Sequence, residues 1–108
     1  MKLLFTAKGQ DWDSQLDPRF GRASGYILFD TSSNEKSWIS NEENTRLAHG
    51  AGIQAAQKAS TMGAEVIITG KVGPKAKSTL DNAGIRIFTV DTPSTVKEAY
   101  NQYMDKKA

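Results

Sequence analysis

Seven basic side chains stand in stretches without regular hydrophobic periodicity: Lys8, Arg19, Arg22, Arg46, His49, Lys71 and Lys75. Arg19 and Arg22 flank Phe20-Gly21, and a pair of arginine forks suits a planar or multi-oxygen or multi-sulfur anion. The same pair can instead pin its loop through backbone carbonyls or Asp17, and spacing does not choose between the two. Lys8, Lys71 and Lys75 serve equally as solvated surface charges. Gly70 and Gly73 bracket Lys71, as turn glycines or as a cradle for a ligand. His49, the only histidine, precedes Gly50-Ala51-Gly52 and suits a helix cap or a ligand contact. The chemistry open to this set is holding an anion.

Catalytic alternatives fare worse. The chain has no cysteine. That removes thiolate zinc sites, cysteine-ligated iron–sulfur clusters and cysteine nucleophiles. A lone histidine leaves general acid–base chemistry few candidates. GKVGPKAKST lacks the spacing of a phosphate-binding P-loop, and neither GxSxG nor HExxH occurs. Two-metal nuclease chemistry needs a carboxylate on the first strand, but residues 2–6 read Lys-Leu-Leu-Phe-Thr. The expectation is a protein that is not an enzyme.

The elements that must carry these residues can be read from periodicity. Residues 2–6 form an apolar strand, followed by a long polar excursion to Ser24. Residues 25–30 and 36–40 read as a hairpin. A helix runs over 50–61, with alanines at 51, 55, 56 and 59 for close packing and Gly63 to stop it. The continuous Val66-Ile67-Ile68 run marks a strand over 65–69 buried on both faces. Pro74 opens a second helix that ends near Ala83-Gly84. A strand over 85–90 follows, and a third helix opens at Asp91-Thr92-Pro93-Ser94 and carries Val96, Ala99, Tyr100 and Tyr103. Residues 41–46 read as polar loop.

This order, βββαβαβα, predicts an α/β fold with a five-stranded mixed sheet, order 3-2-1-4-5, and three flanking helices. It brings residues 7–24, 41–50, 70–74 and 90–94 to one sheet edge. Ligands in open α/β sheets sit outside the carboxyl ends of the parallel strands. The amino ends of all three helices lie there too and favour negative charge.

The chain has 108 residues, 38% of them hydrophobic, with 14 basic against 12 acidic side chains. That suits one domain, 1–108, with its own core. A formal charge of +2 is too balanced to predict nucleic-acid binding. No apolar run approaches a membrane span, so the expectation is a soluble, cytoplasmic monomer with no nucleic-acid or membrane partner.

Three patterns in order, DPRFGRA (17–23), HGAGIQAA leading to GAEVIITGKVGPKA (49–76), and a GI…V…STVKEA segment (84–99), extend across nearly the whole chain. In these the sequence resembles the dinitrogenase iron–molybdenum cofactor biosynthesis family. The resemblance implies a ribonuclease H-like fold without nuclease activity, and binding, carrying or inserting a metal–sulfur cluster. The small, cysteine-free build resembles those members that hold a molybdenum–copper sulfide cluster. An iron–molybdenum–sulfur cluster precursor is the other cargo implied, either one held non-covalently and exchanged with a cluster donor or acceptor protein. The family motif carries over at Arg22, His49, Gly70 and Gly73. Lys8, Arg19 and Lys71 are added as neutralising charges, with Phe20, Trp12 and Met62 as cover for soft sulfur. Without a thiol on the chain, a cluster must bring its own sulfides. The alternative is a metal-free regulatory or partner-binding module that uses the same basic rim.

Overall fold

The computed structural model describes residues 1–107. Its elements are β1 (Lys2–Ala7), β2 (Gly25–Asp30), β3 (Glu35–Ser40), α1 (Glu42–Thr45), α2 (Ala51–Thr61), β4 (Val66–Thr69), α3 (Pro74–Asn82), β5 (Arg86–Thr89) and α4 (Val96–Lys107). The five strands form one sheet in the order β3-β2-β1-β4-β5. β2 runs antiparallel to β1 and β3, whereas β4 runs parallel to β1 and β5. This is the predicted ribonuclease H-like order, with the expected helices flanking it.

Alternation along the central strands divides the core into two layers. Leu3, Phe5, Ile27, Val66 and Ile68 face α4, where Val96, Ala99 and Tyr103 cover them. Leu4, Tyr26 and Ile67 face α2 and α3, and meet Ala55, Ala56, Ala59, Ala76 and Leu80. The small α2 side chains let that helix lie close to the sheet, which brings its first turn near the edge loops. α2 stops at its C-cap Met62.

Two features depart from the sequence reading. Residues 42–45 close a single helical turn inside the expected polar loop. The amino end of α4 is not available to a ligand. Thr95 and Glu98 form a capping box: the Thr95 N–H donates to Glu98 Oε1 at 2.8 Å, and the Glu98 N–H donates to Thr95 Oγ1 at 3.0 Å. The Thr95 N–H thereby holds the Glu98 carboxyl below the usual carboxylate range. The excursion after β1 takes up further donors, since Val96 N–H donates to Ser14 O and Lys97 N–H to Trp12 O, both at 2.9 Å. Among the described residues, α2 and α3 are therefore the helices that keep open amino ends at this sheet edge.

The same docking leaves Trp12 half-buried on the α4 side of the sheet, packed against the core layer. Its ring centroid lies 5.8 Å from Phe5, 5.0 Å from Phe29 and 5.5 Å from Tyr100. Lys36 Nζ sits 5.9 Å from the Trp12 ring centroid. The Phe5 and Phe29 rings meet Trp12 edge-on and Tyr100 meets it tilted, and aromatic pairs at these separations stabilise a core beyond their buried area. Trp12 therefore packs the core layer away from α2 and α3 and does not flank a ligand among them.

Candidate functional site

A cleft of about 440 Å³ opens where the loop after β1 meets the amino ends of α2 and α3. Its walls are Arg19, Phe20, Gly21 and Arg22 from the loop, Gly50, Gly52 and Ile53 from α2, and Lys71, Gly73, Pro74, Lys75 and Ala76 from the β4–α3 connection. Neither helix carries a side-chain cap at this end. First-turn N–H groups have no partner within their own helix, so both helices present open donors beside the cleft. Among the described residues, four cationic side chains and no carboxylate line it.

Close backbone approach fixes this geometry. A Cβ added at Gly21 would lie 2.7 Å from both Gly52 Cα and Gly52 N. Loop and helix meet main chain to main chain, which only glycine permits here. Gly70 does the same work one step behind, since a Cβ there would meet Pro18 Cα at 2.8 Å. Gly70 thus seats the DPRFGRA loop against the end of β4.

Polar groups beneath the loop complete the fixture. The Asp17 carboxylate is wholly buried. Its Oδ1 accepts from Arg19 N–H at 3.1 Å and from Arg19 Nε at 3.4 Å, and its Oδ2 accepts from Ser24 N–H at 3.3 Å. Thr6, at the end of β1, donates its hydroxyl to Asp17 O at 2.6 Å. Tyr26 donates its hydroxyl to Phe20 O at 2.6 Å. Asn41 Nδ2 donates to Gly21 O and Ala23 O, at 3.1 and 2.9 Å. Asn44 Nδ2 donates to Gly21 O at 3.1 Å and to Ala51 O at 2.8 Å. Sequence reasoning missed both asparagines. Their signal was weak, since an amide in a polar loop has many local uses.

Burial, and to a lesser degree the nearby Asp17 charge, push the Tyr26 hydroxyl pKa up. A group whose folded pKa is raised stabilises the fold below its unfolded pKa and loses that contribution as pH climbs through the folded one. Wild-type stability should therefore decline more steeply above the ordinary tyrosine value of 10.0 than that of Tyr26→Phe. Denaturant midpoints of the two proteins between about pH 9 and about pH 12 check this, and parallel profiles would refute it.

The seven residues singled out by sequence divide into groups. Arg19, Arg22, Lys71 and Gly73 line the cleft. Gly70 lies behind it against Pro18. His49 is exposed, one residue before the α2 N-cap Gly50, and is not among the lining residues. Lys8 is exposed too, and its backbone N–H donates to Gln15 O at 2.9 Å, in the excursion that docks on α4. Phe20 borders the cleft but is only 2% exposed, its ring packed in the core layer beside Tyr26, so it has little surface to offer as sulfur cover. Met62 sits at the far end of α2.

The two arginines differ in their partners. Arg19 is largely exposed and commits only its Nε, to Asp17. Arg22 donates from Nη1 to Thr45 O and from Nη2 to Leu47 O, both at 3.0 Å. Lys71 and Lys75 make no ion pair among the described residues.

The molecule is thus a small α/β domain of ribonuclease H-like order with a basic, cysteine-free cleft at one sheet edge. Residues 1–106 match the family model described as dinitrogenase iron-molybdenum cofactor, and the chain belongs to that family. Among solved structures it is similar to the apo form of the orange protein from Desulfovibrio gigas. That likeness has a TM-score of 0.93 and 39% identity over 98% of this chain and 88% of that one. A Thermotoga protein of the DUF35 family, NifB-like by its description, has a TM-score of 0.83 and 30% identity, covering 96% of this chain and 87% of that one. An uncharacterized protein from Methanocaldococcus jannaschii is 29% identical over 98 residues, 88% of this chain and 81% of that protein. No helix among the described residues is long and apolar enough to cross a membrane.

Proposed function

We propose that the chain binds and carries a molybdenum-containing metal–sulfur cluster, non-covalently, in the cleft between α2, α3 and the DPRFGRA loop. The cargo is a molybdenum–copper sulfide cluster or an iron–molybdenum–sulfur precursor, received from or passed to a partner protein. The reading rests on one observation: two uncapped helix amino ends and four cations share a cleft whose walls also include the accessible apolar side chains of Ile53 and Pro74.

Magnitudes favour a soft anion. Exposed charge pairs contribute about 0–1 kcal/mol each and a helix amino end about 0.3–1 kcal/mol. These sum to less than the roughly 8 kcal/mol that micromolar affinity needs. The balance has to come from apolar contact, at about 25 cal/mol per Å² removed from water. A strongly hydrated oxoanion gains little from such walls, whereas a bulky, polarizable sulfide surface gains from both walls and charges. The family assignment points to the same cargo.

Titration with tetrathiomolybdate and copper tests the proposal. The expected result is a visible charge-transfer band that stays with the protein through gel filtration, with no retention of molybdate. No retained band would reject it. Lys71→Gln and Lys75→Gln should each weaken retention by up to about fivefold, the effect of one exposed pair, whereas Lys106→Ala in α4 should not. Retention should also fall between about 0.01 M and about 1 M salt, as the screening length shrinks from about 30 Å to about 3 Å.

A further inference from the structure

We infer that Arg22 is a positioning residue of the cleft and that direct contact with the anionic cargo falls to Arg19, Lys71 and Lys75. The inference rests on the carrier reading above and assigns the parts within it.

Both terminal nitrogens of Arg22 are engaged, Nη1 with Thr45 O and Nη2 with Leu47 O, each at 3.0 Å. Thr45 is the last residue of α1, which has no basic side chain of its own in its last turn, and Leu47 lies two residues beyond it. Charge-assisted bonds from a rigid fork to two carbonyls hold the 45–47 backbone in one geometry. The carbonyl dipoles also offset the positive potential that Arg22 would otherwise project into the cleft.

Asn44, the residue before Thr45, passes this restraint on. Its Nδ2 bridges Gly21 O in the DPRFGRA loop and Ala51 O at the first residue of α2. Arg22 therefore sets the amino end of α2 through the 44–47 backbone. Arg19 keeps both terminal nitrogens uncommitted, and neither lysine is paired among the described residues. These three carry the free charge.

A contact residue and a positioning residue respond differently to a conservative change. Lysine keeps the Arg22 charge but cannot bridge two carbonyls as a fork. Removing a contact charge flattens the salt dependence of binding, whereas misplacing a helix end weakens binding at every salt concentration.

The experiment uses the full chain and the variants Arg22→Ala, Arg22→Lys, Asn44→Ala, Arg19→Gln and Lys71→Gln. Two quantities are read: millisecond hydrogen exchange at the amides of Thr45, Arg46 and Leu47 without added ligand, and the dissociation constant for tetrathiomolybdate across a salt series. Arg22→Ala and Arg22→Lys should both speed exchange at these amides by about tenfold, the factor carried by one charge-assisted bond. β4 amides should stay unchanged, which shows that the fold is intact. Both variants, and Asn44→Ala, should weaken binding with an unaltered salt slope. Arg19→Gln and Lys71→Gln should leave exchange alone and flatten the slope.

Wild-type exchange at 45–47 in Arg22→Ala would overturn the inference. So would full rescue by Arg22→Lys, or a salt slope in Arg22→Ala flattened like that of Lys71→Gln. If the wild-type chain fails to retain tetrathiomolybdate, the carrier reading falls and contact by the other three residues falls with it. The exchange measurements then still decide whether Arg22 clamps the 45–47 backbone.

Discussion

Replacing Gly21 with alanine should abolish any tetrathiomolybdate retention in the cleft and destabilise the fold by about 1–3 kcal/mol, the range for forcing an extra methyl into packed structure. The reason is local and steric. A Cβ at this position would come within 2.7 Å of Gly52 Cα and N and within 3.1 Å of Ala51 C. All three are main-chain atoms of the first turn of α2, so no side chain can swing aside. Either the loop lifts or the helix shifts, and each opens the cleft on the side where Phe20 and Arg22 form its wall. Gly73 supplies the control. It is the N-cap of α3 with φ −69°, and a Cβ there would meet nothing within 4 Å. Gly73→Ala should change stability by no more than about 1 kcal/mol. Denaturant midpoints on both variants, and tetrathiomolybdate retention on Gly21→Ala, check the pair. Equal behaviour would show that the loop and α2 are not locked together at Gly21.

Removing the Asp17 carboxylate should have an effect of similar size. In Asp17→Ala the N–H groups of Arg19 and Ser24 lose their acceptor within a part-buried loop, and Arg19 Nε is released toward solvent. A fully buried donor left unpaired costs about 1–3 kcal/mol, and these two are part-buried, so a combined loss of about 1–2 kcal/mol is expected. Asp17→Asn should recover part of it, since one oxygen can still accept while the new NH2 group opposes another donor. A second readout separates this from general damage. The Asp17 charge is one of the two causes that raise the Tyr26 pKa, so that pKa should fall in Asp17→Ala. Ultraviolet titration of the phenol reads it directly. An unmoved Tyr26 in a folded Asp17→Ala would show that the carboxylate does not act on the loop floor.

Much of the architecture was legible because its signals are local. Val66-Ile67-Ile68 could hardly be anything but a strand covered on both sides, and Pro74 marked the start of α3 to the residue. The GYILFD run, the turn formers at 31–34 and the alternation over residues 36–40 marked the hairpin, and the order of elements then constrained the sheet. What escaped was settled by parts of the chain far apart in sequence. Glu42–Thr45 carries no apolar periodicity, and its turn is held by Arg22 twenty-odd residues upstream. Thr95-Val96-Lys97-Glu98 did spell a capping box, so closure of the α4 amino end could have been read. That Ser14 and Trp12 would complete it could not, because nothing local ties residues 10–16 to α4. The arginine pair shows the same division. Spacing identified both residues, but only the fold brings carbonyls to Arg22 and leaves Arg19 facing open space.

The contact between Gly21 and Gly52 also bears on how such a protein can change. The cleft takes its shape from main-chain atoms and from amides that grip main-chain oxygens. Arg19, Ile53, Lys71 and Lys75 hang from that frame without holding it up. Descendants of this sequence are thus free to retune what the cavity prefers by exchanging ornaments, while the armature that makes it a cavity stays unaltered.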